Sequence, residues 1–438
     1  MAAQLLRELE VDDFIGVGPV LMRHAKQFPK NSQFFADTAA LMQALSNIDW
    51  SHRVILLKGS RVFAFEQLLG KLERQHHQTV LRIDMNALAD NLNAIRTQVP
   101  PNIRLMAVVK AFSYGAGSTE VAALLQFQKV DYLAVAYADE GVALRNAGIQ
   151  LPIMVMNPEP DSLEAMIEHS LEPEIYSFRM LELFLEVLHR LNYTHTRYPI
   201  HLKLDTGMHR LGFEMDQLPT LAALLKAEQQ LQVVSVFSHL AASDEARFRK
   251  ETLLQIERFK LMSHQIAVGI GYRPLRHILN SAGIAAYPEA HFDMVRLGIG
   301  LHGTSAAHPR PVAALYTHIS QIKWLRKGAS LGYGFSFTAT DDMKIATIAI
   351  GYADGFSRQF SNGKGEVFIC GQRAKVVGKV CMDLTMVDVS TIDCQEGDEV
   401  EVFGKNIRVQ ELADKLDTIP YEVLTAISPR VKRIYLQE

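Results

Sequence analysis

Eight short apolar runs recur between residues 103 and 297, and each is parted from the next by a stretch of helical periodicity. They occupy 103–109, 132–137, 152–156, 171–176, 200–204, 233–237, 275–279 and 292–297. Strands that alternate with helices pair side by side and parallel, because the helix carries the chain back to the starting edge. Eight such units within about 200 residues imply a closed (β/α)8 barrel. Asp84 stands as the N-cap of the first helical stretch, ahead of apolar residues at helical spacing up to Val99.

Polar residues gather where these runs end. Lys110 follows the first run, Asn157 the third, Asp205 the fifth and His239 the sixth. Asn280 and Ser281 follow the seventh, and Arg296 lies near the end of the eighth. Barrel enzymes build their sites at the C-terminal ends of strands, so this one-sided placement points to chemistry there.

Past residue 310 the texture changes to short runs rich in Val and Ile, at 344–350, 366–370, 374–380, 385–389 and 399–403, punctuated by Gly and Asp. That pattern predicts a separate all-β domain. Ahead of the barrel, residues 1–78 read as a small α/β piece. The apolar run 54–57 is a buried-strand candidate, a helix is expected near Phe65, and another over 38–45. The expected domains are therefore 1–78, 79–309 and 310–438.

Composition narrows the partners. A chain of 438 residues with 48% hydrophobic residues can bury a large core, and a net charge of −3 gives no basic surface for nucleic acid or an anionic membrane. Its three cysteines, Cys370, Cys381 and Cys394, form neither a disulfide framework nor a zinc spacing. No metal is expected, the pair His76 and His77 reading as a solvated linker, and a reducing cytoplasm fits. Charged residues interrupt the first fourteen positions, so no signal peptide is read there, and no stretch approaches the ~18 apolar residues of a membrane span.

Lys110 is the residue with the clearest chemistry. A lysine directly after a buried strand loses hydration, its pKa falls, and the neutral amine suits covalent attachment to a carbonyl. Tyr114 lies four residues on, and Gly115 and Gly117 let backbone approach closely. A strand-end lysine whose ammonium simply reaches solvent fits this pattern equally well.

Val109, Lys110 and Ala111, followed by Tyr114 and Gly115, resemble the pyridoxal-phosphate (PLP) attachment motif of the alanine racemase family. The resemblance continues in chain order. It runs through His201, Lys203, Asp205 and Arg210 to Phe213, then Ser238 and His239, then His277, Asn280 and Ser281, then Arg296, Gly298 and Ile299. Beyond the barrel it covers Gly351, Tyr352, Asp354 and Gly355, then Met382 and Asp383, Tyr421, and Arg430. Phe112, Ala116 and His302 depart from the family's usual residues.

The resemblance implies an amino-acid racemase, a PLP-binding barrel followed by a C-terminal β domain, and a set of roles. Lys110 would carry PLP and act as base on one face of the substrate Cα, with Tyr352 the base on the other. Removing a proton from one side and returning it on the opposite side calls for two bases across a plane. Arg296 would face the pyridine nitrogen and keep it unprotonated, which limits transamination, with His239 near the ring and His277 orienting Arg296. Tyr114, Asn280, Ser281, Gly298, Ile299 and Tyr421 would hold the cofactor. Arg210 and the Met382 N–H would meet the substrate carboxylate, supported by Lys203 and Asp383. The family implies alanine as substrate, a homodimer with shared active sites, and D-alanine supply to peptidoglycan. A racemase of another amino acid, a decarboxylase on the same fold, and a non-catalytic PLP-carrier barrel stay open.

The first 78 residues resemble a different family. Residues 54–61 with Phe65 and Glu66, together with Asp13 to Gly16 and Phe35 to Asp37, look like the end of a Mur ligase of the UDP-N-acetylmuramoyl-tripeptide–D-alanyl-D-alanine type. Such ligases occur fused to racemases, so the segment is expected to be a ligase remnant in a bifunctional fusion. It has no Gly-Lys-Ser/Thr phosphate loop, and no ligase activity is expected.

Overall fold

The computed structural model describes residues 79–437 apart from 194–196 and 305–309, and in the first 78 residues mainly 11–48 and 55–60 with a few isolated positions. Two compact units result, one of residues 1–78 with 437–438, the other of 79–436.

In the first unit, β1 (Ile15–Val17) pairs parallel with β2 (Gln33–Phe35), joined through α1 (Pro19–Arg23). α2 (Thr38–Ala44) follows, capped by the Asp37 carboxylate, which accepts from the Ala40 N–H at 2.8 Å. Val17, Leu41, Leu45 and Leu68 form its small core. The strand expected over 54–57 is not formed at its described residues: 55–57 are irregular and Leu56 is 84% exposed. A two-stranded sheet over so small a core offers that apolar run no burial. Most of the helix expected near Phe65, and His76 and His77, lie outside the described residues.

The second unit opens with β3 (Val80–Asp84) and α3 (Met85–Arg96), whose N-cap Asp84 accepts from the Ala87 N–H at 2.8 Å. Then comes the barrel. Its strands are β4 (Arg104–Val108), β5 (Tyr132–Val135), β6 (Ile153–Val155), β7 (Glu172–Ile175), β8 (Tyr198–Lys203), β9 (Leu231–Phe237), β10 (Leu275–His277) and β11 (Met294–Leu297). The helices between them are α4 (Ser118–Phe127), α5 (Ala138–Asn146), α6 (Leu163–Glu168), α7 (Phe178–Arg190), α8 (Leu218–Ala227), α9 (Arg249–Ile270) and α10 (Ser281–Ala286). Every neighbouring pair is parallel, in the order β10-β9-β8-β7-β6-β5-β4-β11. The two ends meet where the Asp293 N–H donates to the Arg276 carbonyl and the Arg296 N–H to that of Leu279, at 3.0 and 3.1 Å. Strands covered on both faces are apolar nearly throughout, which is why each of the eight runs is legible as a buried strand.

The C-terminal domain is built on an antiparallel sheet. β12 (Ala313–Leu325), β13 (Ser330–Leu331), β14 (Phe337–Thr338), β15 (Met343–Ile348), β16 (Glu366–Ile369), β17 (Gln372–Lys375), β18 (Thr385–Asp388), β19 (Glu399–Phe403) and β20 (Lys432–Leu436) are its strands. The main sheet runs β17-β16-β19-β12-β15-β18, with β3 antiparallel to β12 and β20 parallel to β3. This is the β domain expected from the Val- and Ile-rich runs, with additions. It takes in β3 from ahead of the barrel and carries α11 (Val409–Leu416) and α12 (Pro420–Thr425). α11 follows the helical period in its own right, with Leu412 and Ala413 buried. Barrel and sheet share one continuous hydrophobic core.

Candidate active site

Lys110 follows directly on β4, whose last residues Met106, Ala107 and Val108 are buried, as is Val109. Its amine has no hydrogen-bond or ion-pair partner among the described residues. Burial lowers its pKa, and Arg210 lowers it further. Both effects raise the fraction of neutral, nucleophilic amine.

The chain then makes a left-handed turn. Ala111, Phe112, Ser113 and Tyr114 have φ of 53, 56, 49 and 54°. Each costs about 1–2 kcal/mol relative to a right-handed turn. The turn is held by hydrogen bonds from the Ala111 N–H to Glu140 Oε1 (2.6 Å) and from the Gly115 and Gly117 N–H groups to the carbonyls of Ala111 and Phe112. Gly115 continues it at φ 83°, where a Cβ would lie 2.5 Å from the Leu424 carbonyl oxygen. The turn brings the buried Tyr114 ring against Tyr421 of α12 (centroids 5.7 Å apart) and His302 (5.2 Å).

Tyr114 faces the loops after β10 and β11. Ser281 Oγ accepts from the Gly298 N–H at 2.9 Å and from that of Gly300 at 3.3 Å, so its own hydrogen is left to donate. A Cβ on Gly298 would lie 2.4 Å from the Tyr114 hydroxyl, a space that only glycine leaves open. Ile299 is buried beside it. Asn280 caps α10, its Oδ1 accepting from the Gly283 N–H and the Ser243 hydroxyl at 3.0 and 2.8 Å. Burial raises the pKa of both tyrosines, keeping their hydroxyls as donors.

The opposite side of the barrel mouth is cationic. Arg296 is 3% exposed and fully engaged on one side. It donates to His277 Nδ1 (2.7 Å) and to the carbonyls of Ser238 (2.7 Å) and Ile278 (3.0 Å), and reaches His239 Nδ1 at 3.3 Å. Burial lowers its pKa to about 10, so it stays charged at neutral pH. Burial, with Arg296 next, drives His239 down to about 2 and His277 well below its usual value, so both imidazoles are neutral. Lys203 pairs with Glu174 at 3.4 Å, both buried, and lies 4.3 Å over the Phe237 ring. Arg210 is exposed in the loop after β8, where Asp205 Oδ1 accepts from the N–H groups of Gly207, Met208 and His209.

Tyr352, Met382 and Asp383 are brought together with one another in the C-terminal domain. The Tyr352 N–H donates to the Cys381 carbonyl and the Ala353 N–H to that of Met382, both at 3.0 Å. Arg430 clamps the two turns, reaching the buried Asp354 at 2.7 Å and Asp383 at 2.6 Å. Tyr352 is 42% and Met382 53% exposed. Among the described residues no hydrogen bond, ion pair or ring contact joins Tyr352, Met382 or Asp383 to Lys110, His239 or Arg296. Sequence reasoning passed over Glu140, Glu172, Glu174 and Ser235. Glu172 and Glu174, two charges in one barrel strand, were the available signal.

A model of the alanine racemase N-terminal domain matches residues 83–306, and one of the C-terminal domain matches residues 312–435. The chain belongs to the alanine racemase family. It is 38% identical over 372 residues to the alanine racemase of Symbiobacterium thermophilum, covering 82% of this chain and 97% of that one. Among solved structures it is similar to the alanine racemase of Clostridium difficile 630, with a TM-score of 0.77 and 35% identity over 82% of this chain and 96% of that one. It is also similar to the alanine racemase of Bartonella henselae with covalently bound pyridoxal phosphate, at a TM-score of 0.75 and 28% identity over 82% and 99%. Family members of this kind are PLP-dependent isomerases, and both matched regions lie beyond residue 78.

Proposed function

We propose that this chain interconverts L- and D-alanine with PLP held at the mouth of its barrel. The observation that carries the reading is the Lys110 amine, depressed in pKa by burial and unengaged at the end of β4. The residues around it suit the cofactor. The opening that Gly298 leaves beside the Tyr114 hydroxyl, with the Ser281 hydroxyl free to donate, suits a phosphate, and Tyr421, Asn280 and Ile299 complete that end. Arg296 at the other end suits a pyridine nitrogen, with His239 against the ring.

PLP bound there supplies an electron-withdrawing ring that acidifies the Cα–H of an attached amino acid. Arg296 only donates, so it keeps a proton off the ring nitrogen it faces. The neutral Lys110 Nζ would take or return the Cα proton on one face and the Tyr352 hydroxyl on the other. Arg210 and the Met382 N–H would hold the substrate carboxylate, with Lys203, Asp383 and His277 in support.

Tyr352 and Met382 are exposed in a domain of their own, which supports a two-fold homodimer in which each chain completes its partner's site. Closing the mouth in this way keeps water from the reacting carbon. We extend the reading to the division into 1–78, 79–309 and 310–438, to a cytoplasmic location, and to D-alanine supply for peptidoglycan. No helix among the described residues is long and apolar enough to cross a membrane. The ligase-remnant reading of residues 1–78 rests on its motif alone, since neither family match extends into that segment.

The test is chiral analysis of L-alanine, L-serine and L-lysine incubated with the purified protein and PLP. D-alanine rising toward equal amounts is expected; no D-alanine would refute the reading. Mixing Lys110→Ala and Tyr352→Phe chains is expected to restore activity, since one site per heterodimer then has both bases. No recovery after confirmed subunit exchange would refute shared sites.

A further inference from the structure

Four hydrogen bonds cross the barrel interior from Arg296 to Glu172. Arg296 Nη1 lies 2.7 Å from His277 Nδ1, and His277 Nε2 lies 2.8 Å from Ser235 Oγ. Ser235 Oγ is in turn 2.7 Å from His201 Nδ1, and His201 Nε2 is 2.7 Å from Glu172 Oε2. The participants come from adjacent strands. Ser235 on β9 stands directly opposite His201 on β8, whereas His277 on β10 and Glu172 on β7 each lie two residues along their strands from the position opposite, so those two links run diagonally. His201, Ser235 and His277 have no exposed surface, whereas the Glu172 side chain at the far end is 12% exposed.

The ends of this chain fix the direction of everything between them. A guanidinium has no acceptor, and a carboxylate has no donor. His277 Nδ1 must therefore accept from Arg296, which leaves the proton on Nε2. That N–H donates to Ser235, whose hydroxyl then donates to His201 Nδ1. His201 in turn carries its proton on Nε2 and gives it to Glu172. This one proton arrangement gives each of the four links one donor and one acceptor and puts the two rings in the same tautomer. The rings are also packed in place. Phe237 stacks on His277 with centroids 4.9 Å apart and planes 2° from parallel, and Tyr132 stands edge-on to His201 at 5.9 Å.

We propose that Glu172, His201 and Ser235 are positioning residues: they hold His277 in its Nε2–H tautomer, so that its Nδ1 lone pair anchors Arg296 in the orientation that faces the cofactor. Without this chain the buried His277 could carry its proton on Nδ1. It would then oppose the arginine with a second donor and displace it. The effect on chemistry rests on the reading above that Arg296 faces the pyridine nitrogen; the proton arrangement does not. A displaced Arg296 leaves that nitrogen free to take a proton, which strengthens the ring as an electron sink. More of the substrate then leaves as pyruvate, its amino group kept by the cofactor and its carbonyl oxygen supplied by water.

Neutron diffraction of the deuterium-exchanged holoenzyme reads the chain directly. Deuterium is expected on Nε2 alone of both His201 and His277, with the Ser235 deuteron toward His201. A deuteron on His277 Nδ1 would overturn the proposal whatever reaction the enzyme carries out. Two variants at the semi-exposed end then test the consequence. Glu172→Gln keeps an acceptor oxygen for His201, and its ratio of pyruvate to racemised alanine is expected to match the parent. Glu172→Leu removes the acceptor, and that ratio is expected to rise about 10-fold with the KM for alanine unchanged. Equal ratios in the two variants, at equal PLP content, would overturn it. Absence of D-alanine from the parent enzyme would instead refute the racemase reading and leave the deuteron positions to judge the chain.

Discussion

Arg430→Gln isolates what holds the Tyr352 turn. Arg430 Nε donates to Asp354 Oδ1 at 2.7 Å, and the other carboxylate oxygen accepts the Gly351 N–H at 2.9 Å. Its Nη2 donates to Asp383 at 2.6 Å. Asp354 is fully buried, while the Arg430 side chain is 39% and that of Asp383 59% exposed. Breaking a fully buried pair by removing one member costs about 3–5 kcal/mol. Water reaches the arginine here, so about 2–3 kcal/mol is the expected cost of local opening. At about 1.4 kcal/mol per tenfold, that is an opening constant raised roughly 30- to 150-fold. Asp383→Asn touches only the exposed link, worth about 0–1 kcal/mol, or roughly fivefold at most. Amide hydrogen exchange by mass spectrometry measures both. Peptides spanning 351–355 and 427–431 are expected to lose protection by those factors, with barrel peptides unchanged. Turnover should fall in Arg430→Gln at unchanged PLP content, because Tyr352 begins the loosened turn. Equal loss of protection in the two variants, or none in Arg430→Gln, would refute the clamp.

Gly298→Ala should weaken PLP binding to the apoenzyme about 10-fold or more, since its Cβ would come within 2.4 Å of the Tyr114 hydroxyl and overpacking costs about 1–3 kcal/mol. Absorbance titration with PLP checks this, and an unchanged affinity would show that the opening is not used. His302→Phe removes a buried Nε2 that has no partner, and should leave the protein at least as stable at pH 7. Burial lowers the His302 pKa to about 4, below its usual 6.5. The unfolded chain therefore binds a proton between those values that the fold does not, and stability falls as pH drops from 6.5 toward 4. Between pH 7 and pH 5 this residue accounts for about 2 kcal/mol of lost stability. Thermal unfolding of His302→Phe should show a pH dependence shallower by that amount, and an identical slope would contradict it.

The barrel was legible because most of its strands are largely apolar, with only scattered polar interruptions, and polar residues gather where they end. β12 was not, although at Ala313–Leu325 it is the longest strand among the described residues. Its burial alternates in its first half and fades over Ser320 to Leu325, where side chains lie at or near the surface. No continuous apolar run marks it. β3 was not recognised as a strand, since its place in the C-terminal sheet depends on pairing with β12 and β20, far along the chain. The two late helices were hidden by the Val- and Ile-rich segments around them.

The candidate site was legible at strand ends, because a barrel turns position along a strand into position at the mouth. The same rule is silent about the interior layer below. Ser235 reads in sequence as a polar break in Leu231–Phe237, and Glu172 as a charge at the start of a short strand. Neither spacing nor periodicity joins them. What joins them is register: Ser235 stands beside His201, and His201 reaches Glu172 across β7 and β8. Register in a closed parallel sheet depends on all eight strands at once, so a single sequence does not disclose it. Burial, by contrast, was implied from the start. Polar side chains that interrupt apolar barrel strands must find hydrogen-bond partners inside the barrel, and the strands on either side are the nearest source.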